Sequence, residues 1–265
     1  APLYHPGPAA YRPGGAAAGD VSPGEGRKGF MDGPRRTRWL SRLGDSLKEL
    51  LWPLGRFCIL CGVAIRSQSL CPQCLANLKA CALPLAHQHP GMTAADGLCA
   101  AFAYEDAAKR LVWELKFGAW EEAGVVLGWH MSWAVRARGW EADLITWVPM
   151  PQKRRRERGM DHARCLAEQL ARALELPCAG LLARRDEDAV PQHTLSRAER
   201  LRHARDAFCP AMDAPSPEGL RVLLVDDVLT TGATAADCVR ELQAMGAAQV
   251  LVAVACRAMY DDDEG

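Results

Sequence analysis

The sequence predicts an α/β fold: a mostly parallel sheet with helices on both faces, and a small cysteine-ligated module ahead of it. Three observations predict this. From residue 98 onward, short apolar runs such as RVLLVDD and QVLVAVACR alternate with longer stretches of helical period, the pattern of strands buried on both faces. Two CxxC pairs precede that region within 58–74. With 265 residues, 49% of them hydrophobic, the chain can fill the core of one sizeable domain plus a small appendage.

Residues 1–36 are rich in Pro, Gly and Ala without periodicity, and are expected to be a disordered extension. The first methionine is Met31, a candidate start of translation that would make the preceding residues an extension. Over 37–57 the text TRWLSRLGDSLKELLWP predicts an amphipathic helix, with Trp39, Leu40, Leu43, Leu47, Leu50 and Leu51 on one face and Pro53 as its stop. Docking onto the rest of the protein is the simpler use of that face, and membrane-surface binding is its rival. A metal-binding module is expected over 58–90, the main domain over 91–260 and an acidic tail over 261–265.

Within the main domain, LCAAFAY (98–104) reads as a strand, and 105–117 and 119–139 as helices. LITWVPM (144–150) is a strand, 161–175 a helix and AGLLARR (179–185) a short strand. RVLLVDD (221–227) is a strand, 235–246 a helix stopped by Gly246, and QVLVAVACR (249–257) the closing strand. Ligands of such sheets bind beyond the carboxyl ends of the strands.

The formal net charge is zero, so no global field points to nucleic acid or membrane. Of eleven cysteines, Cys99, Cys165, Cys178, Cys209, Cys238 and Cys256 are scattered singly, a poor disulfide framework that fits a reducing compartment. No apolar run approaches the ~18 residues of a membrane span, and no signal-peptide pattern opens the sequence. A cytoplasmic chain without a membrane span is expected.

In CILCGVAIRSQSLCPQC, Cys58 and Cys61 form one pair, Cys71 and Cys74 the other, with nine residues between the pairs. Two thiolates from each tight turn complete a tetrahedral zinc site, and four leave no open position, so the zinc is expected to be structural. A redox role would need one CxxC opening a helix in a thioredoxin-like context, and a disulfide conflicts with the compartment. Cys81, His87 and His89 lie close in sequence but are expected to be bystanders.

The segment RVLLVDDVLTTGAT (221–234) ends an apolar strand in Asp226 and Asp227, then opens into small residues before a helix. At the ligand edge of a sheet, paired carboxylates accept hydrogen bonds from vicinal sugar hydroxyls or approach a hydrated Mg²⁺. The backbone N–H groups of Thr230, Thr231, Gly232, Ala233 and Thr234, with a helix N-terminus behind them, suit a phosphate. Together they describe a site for a phosphoribosyl group. Two other readings are a buried strand followed by a capped helix, and a receiver domain. In a receiver the acids follow the first strand with a phosphoacceptor Asp and a Lys downstream, whereas only residues 228–265 remain here.

VLLVDDVLTTGAT resembles the phosphoribosyl pyrophosphate motif of type I phosphoribosyltransferases, and with the double CxxC the chain resembles the ComF family, linked to natural competence and DNA uptake. The resemblance runs from about Leu47 to Arg257 and takes in LKF (115–117), WVPMPQKRRRERG (147–159), PQHTLSRAERLRHARDAF (191–208) and AVACR (253–257). It implies a type I phosphoribosyltransferase-like, Rossmann-like sheet. It also implies that Asp226 and Asp227 hold the ribose hydroxyls, that Thr230 to Thr234 hold the 5′-phosphate, and that Pro149, Met150, Pro151 and Gln152, with Arg158 and Gly159, face the pyrophosphate.

Five basic residues in the six from Lys153 to Arg158 suit so highly charged a group, although a solvated charge run or a nucleic-acid backbone contact would use them equally. After Gly159 the family shows an aromatic residue, Asn and Gln, where this chain has Met160, Asp161 and His162; His203 stands at a usual Asn. Asp161 and His162 suit the cap and first turn of the next helix.

By resemblance, the chain binds phosphoribosyl pyrophosphate with Mg²⁺, serves DNA uptake, and has single-stranded DNA and competence proteins as partners. The alternative is an active phosphoribosyltransferase in nucleotide or base salvage. No base-binding hood and no catalytic residue stand out to identify its acceptor.

Overall fold

The chain enters the described region through a hairpin, β1 (Arg56–Phe57) and β2 (Ala64–Ile65), followed by helix α1 (Pro72–Ala80). The structure is a computed structural model that describes residues 56–66, 68–84, 94–118, 120–185 and 207–258. All of these fall in one compact unit, Leu54–Gly265. The extension over 1–36, the acidic tail and most of the 191–208 segment lie outside the described residues, as do His87, His89 and His203. So does the helix expected over 37–57, apart from Arg56 and Phe57, which form a strand.

The remaining elements alternate as expected. They are β3 (Gly97–Ala103), α2 (Asp106–Phe117), α3 (Trp120–Ala137), β4 (Leu144–Trp147), α4 (Gln152–Arg158), α5 (His162–Leu174), β5 (Leu182–Arg184), β6 (Phe208–Pro210), β7 (Arg221–Leu229), α6 (Ala233–Ala244) and β8 (Gln249–Arg257). Strands β3, β8, β7 and β4 form one parallel sheet in that order.

The strands' two-residue period sends alternate side chains to opposite cores. Leu223 and Val225 of β7, with Leu251, Ala253 and Ala255 of β8, pack with α2, α3 and α5 on one face. Val222 and Leu224, with Val250, Val252 and Val254, pack with Cys238, Val239 and Leu242 of α6 on the other. Both faces are therefore covered, as a parallel sheet requires.

Helices α3 and α5 approach closely because α3 carries Gly128, where an added Cβ would stand 2.6 Å from Gln169 Cβ. The cysteine module shares the first core, contributing Leu60, Leu70 and the fully buried Leu78.

Several local readings change. The strand read as LITWVPM stops at Trp147, and the basic run after it is helical, closed by Gly159 in the left-handed region at φ 75°. QKRRRER has no apolar residue to betray its period, which is why it reads as loop. AGLLARR contributes only Leu182–Arg184, which pairs antiparallel with β6 outside the main sheet. Strand β7 continues to Leu229, past the two acids, because β8 keeps pairing with it after β4 has ended.

Candidate functional site

Where β4 stops at Trp147, β7 has reached Val225, so Asp226 is the first residue of β7 to lose its neighbour on that side. A cavity of about 520 Å³ opens there. Asp226, Asp227 and the run Thr230 to Ala235 line it. Gly232 adopts φ 76° as the N-cap of α6, a left-handed turn that glycine makes without a Cβ penalty. Ala233 N–H reaches Thr231 Oγ1 at 3.4 Å, a long contact that a better acceptor can replace. All five residues expected to hold a phosphate line the cavity.

The acids are electrostatically unequal. Asp226 Oδ1 accepts from the Asp227 N–H at 2.8 Å, and Asp227 Oδ1 accepts from the Val228 N–H at 2.6 Å. Asp227 Oδ2 also pairs with Lys116 Nζ at 2.8 Å. Desolvation of the Asp226 carboxyl, and then the charge of Asp227, push its pKa well above the ordinary carboxylate range. The two carboxyls thus titrate as a coupled pair, with Asp226 the harder of the two to ionise.

The loop after β4 and helix α4 also contribute to the lining. Pro149, Met150, Pro151 and Arg158 line the cavity, and Lys153 and Arg154 join them. Gln152 and Gly159 do not; Gly159 instead caps α4, its N–H bonded to Arg155 O at 2.9 Å. Lys153, Arg154, Arg155 and Arg156 are solvent-exposed, while the Arg158 guanidinium sits 5.3 Å from the centre of the Phe117 ring.

Asp161 caps α5 by accepting from the Arg164 N–H at 3.2 Å, and its other oxygen meets the Met150 N–H at 3.4 Å. The cap thus ties α5 to the cavity loop, and Asp161 itself lines the cavity. Burial, opposed by those N–H groups, raises its pKa. His162 is fully buried with neither ring nitrogen hydrogen-bonded, and burial lowers its pKa although Asp227 opposes this.

Lys116, Asp161 and Arg184 are site residues that reading the sequence did not assign. LKF was recognisable as a shared motif. Nothing in it placed Lys116 beside Asp227, because the contact joins the last turn of α2 to a strand far along the chain.

Away from this cavity, Cys58, Cys61, Cys71 and Cys74 bring their sulfurs within 4.8 Å of one another, and Cys61 Sγ is 3.6 Å from Cys71 Sγ. A tetrahedron with metal–sulfur bonds of about 2.3 Å has sulfur–sulfur edges of about 3.8 Å, so the set fits a four-thiolate metal such as zinc. The β1–β2 turn carries the first pair, and Cys71 caps α1 to present the second. The hairpin therefore holds the first pair and the start of α1 the second.

Cys71 does open a helix, the feature a redox pair would need, but its partners are two further thiols rather than a lone disulfide mate. Burial opposes ionisation of Cys58, yet the backbone N–H groups of Cys71, Cys61 and Leu60 outweigh it and hold that thiol at about 6. Burial, followed by the three neighbouring sulfurs, pushes the Cys74 thiol up. All eleven cysteines are free, and Cys81 turns away from the cluster to the carbonyls of Asn77 and Glu105. Among the described residues no helix is long and apolar enough to cross a membrane.

The sheet, the paired acids and the glycine-turned loop define a phosphoribosyltransferase-type α/β domain that carries a four-cysteine module. The phosphoribosyl transferase domain family matches residues 160–264. DNA utilization protein YhgH of Salmonella typhimurium is 30% identical over 227 residues, covering 83% of this chain and 96% of that protein. Competence protein F of Haemophilus influenzae is 32% identical over 110 residues, 42% of this chain and 48% of its own length. Among solved structures, the glutamine phosphoribosylpyrophosphate amidotransferase from B. subtilis is 24% identical over 53% of this chain and 30% of that one, with a TM-score of 0.39. The chain belongs to the ComF family.

Proposed function

We propose that the protein binds phosphoribosyl pyrophosphate in the cavity beside β7 and, with that ligand, serves the uptake or processing of single-stranded DNA in the cytoplasm. The observation that carries the reading is the junction of two acids with a left-handed glycine turn and helix N-terminus in one cavity of about 520 Å³. Asp226 and Asp227 would accept from the ribose hydroxyls, and the N–H groups of Thr230 to Thr234 would receive the 5′-phosphate. The pyrophosphate would lie toward Pro149 to Pro151, with Lys153, Arg154 and Arg158 supplying positive charge.

Mg²⁺, when bound with the donor, would neutralise pyrophosphate charge, and the half-buried acids of the cavity are oxygen donors that suit a hard cation. Zinc would be held by Cys58, Cys61, Cys71 and Cys74, locking the β1–β2 turn to α1 so that the module offers competence proteins a rigid surface.

The DNA role draws on the relatives' names, DNA utilization protein and competence protein F, together with the exposed basic residues of α4. Contacts from that helix to a phosphate backbone should weaken steeply with salt. Donor binding and pyrophosphate release are to be measured separately, beside DNA uptake in a deletion strain. Donor binding with impaired uptake is expected. A strain with normal uptake and impaired base or nucleotide salvage would replace this reading with that of a salvage transferase.

A further inference from the structure

Asp227 has no free oxygen for a ligand in this structure. Oδ1 accepts from the Val228 N–H at 2.6 Å, and Oδ2 is 2.8 Å from Lys116 Nζ. The ion pair is sheltered, its side chains 19% and 17% exposed.

Two neighbouring groups are engaged otherwise. The Arg158 guanidinium lies over Phe117, and burial lowers the His162 pKa despite the pull of Asp227. Lys116 is also well placed to leave. Its backbone is fixed by Leu111 and Leu115 of the same helix, both fully buried, while its ammonium ends a flexible four-carbon stem inside the cavity.

We propose that Lys116 is an exchangeable counter-ion: in the free chain it occupies the oxygen of Asp227 that a ligand needs, and on donor binding it turns to the pyrophosphate end of the same cavity. The inference rests on the phosphoribosyl reading of the site. Its consequence is coupling. A divalent cation alone must evict Lys116 without giving it a new partner and so binds poorly, whereas a cation arriving with pyrophosphate supplies that partner. Lys116 acts on both sides of the exchange, so its loss has two effects of opposite sign.

The test is Lys116→Met, with Lys116→Gln as a second variant if the first fails to fold, each checked by thermal melting. Calorimetry would measure Mn²⁺ alone, then inorganic pyrophosphate and phosphoribosyl pyrophosphate in the presence of Mg²⁺. Mn²⁺ alone should bind about tenfold more tightly to the variant, and both phosphate ligands about tenfold more weakly, the usual size of a coupling between sites. Weaker phosphate binding with unchanged or weaker Mn²⁺ binding would overturn the exchange and leave Lys116 an ordinary cation of the site. No change in either would remove it from the site altogether. If the unaltered chain binds neither phosphate ligand, the phosphoribosyl reading itself fails and takes the exchange with it.

Discussion

Replacing the paired acids by their amides tests the ribose assignment with little change of shape. Each acid already spends one oxygen on a backbone N–H, Asp226 on that of Asp227 and Asp227 on that of Val228, which leaves the ligand one oxygen of Asp226 and, once Lys116 has moved away, one of Asp227. A hydrogen bond to a charged acceptor contributes roughly 1.5–3 kcal/mol, so two contribute about 3–6 kcal/mol. Asp226→Asn or Asp227→Asn should therefore weaken phosphoribosyl pyrophosphate binding by about ten- to a hundredfold each, and the double variant by about 10²- to 10⁴-fold. Desolvation and the charge of Asp227 raise the Asp226 pKa, so a ligand that favours its carboxylate should release protons on binding, read from titrations in buffers of different ionisation heat. Asp226→Asn should abolish that release. Isothermal calorimetry with Mg²⁺ present supplies both readings. A double variant that loses less than about tenfold in affinity would refute the geometry.

Three further outcomes follow from other parts of the structure. Purified protein should carry one zinc per chain, and Cys71→Ser with Cys74→Ser should lose it on elemental analysis; apparent binding energies of roughly 10–16 kcal/mol mean that chelation should also lower the melting temperature. Gly128→Ala should destabilise the α3–α5 contact by about 1–3 kcal/mol in urea unfolding, since the new methyl stands 2.6 Å from Gln169 Cβ. Hydrogen bonds from the Arg221 side chain and N–H hold the Asp143 carboxyl at about 2, below its ordinary 3.8. A depressed acid stabilises the fold above its unfolded pKa and loses that contribution as pH falls through the folded one. The melting temperature of the unaltered chain should thus drop more steeply between pH 4 and 2 than that of Asp143→Asn.

What the sequence disclosed depended on whether the evidence was contiguous. Asp226 through Thr234 form one unbroken segment, so the order of acids, small-residue loop and helix start could be read directly, and the structure places all of them on one cavity. The four cysteines were equally legible, because CxxC spacing is itself a ligand geometry. Strands β7 and β8 announced themselves by apolar runs that feed two cores. Helix α4 did not, having no buried residue, and β5 and β6 are too short, at three residues each, to show a period. Lys116 was invisible as a site residue, since only the stacking of α2 on the sheet brings it to Asp227. His162 looked like a helix opener, which it is, but its complete burial beside the acid pair belongs to tertiary packing alone.

Hydrogen exchange of the unaltered chain, with and without phosphoribosyl pyrophosphate and Mg²⁺, tests the central claim most directly because it locates the ligand without altering a residue. The account predicts slowed exchange of the amides from Asp226 through Ala236 and of Met150, the segments that line the cavity or close its loop, with the cysteine module unchanged. No slowing at Thr230 to Thr234, or protection confined to another part of the chain, would contradict it.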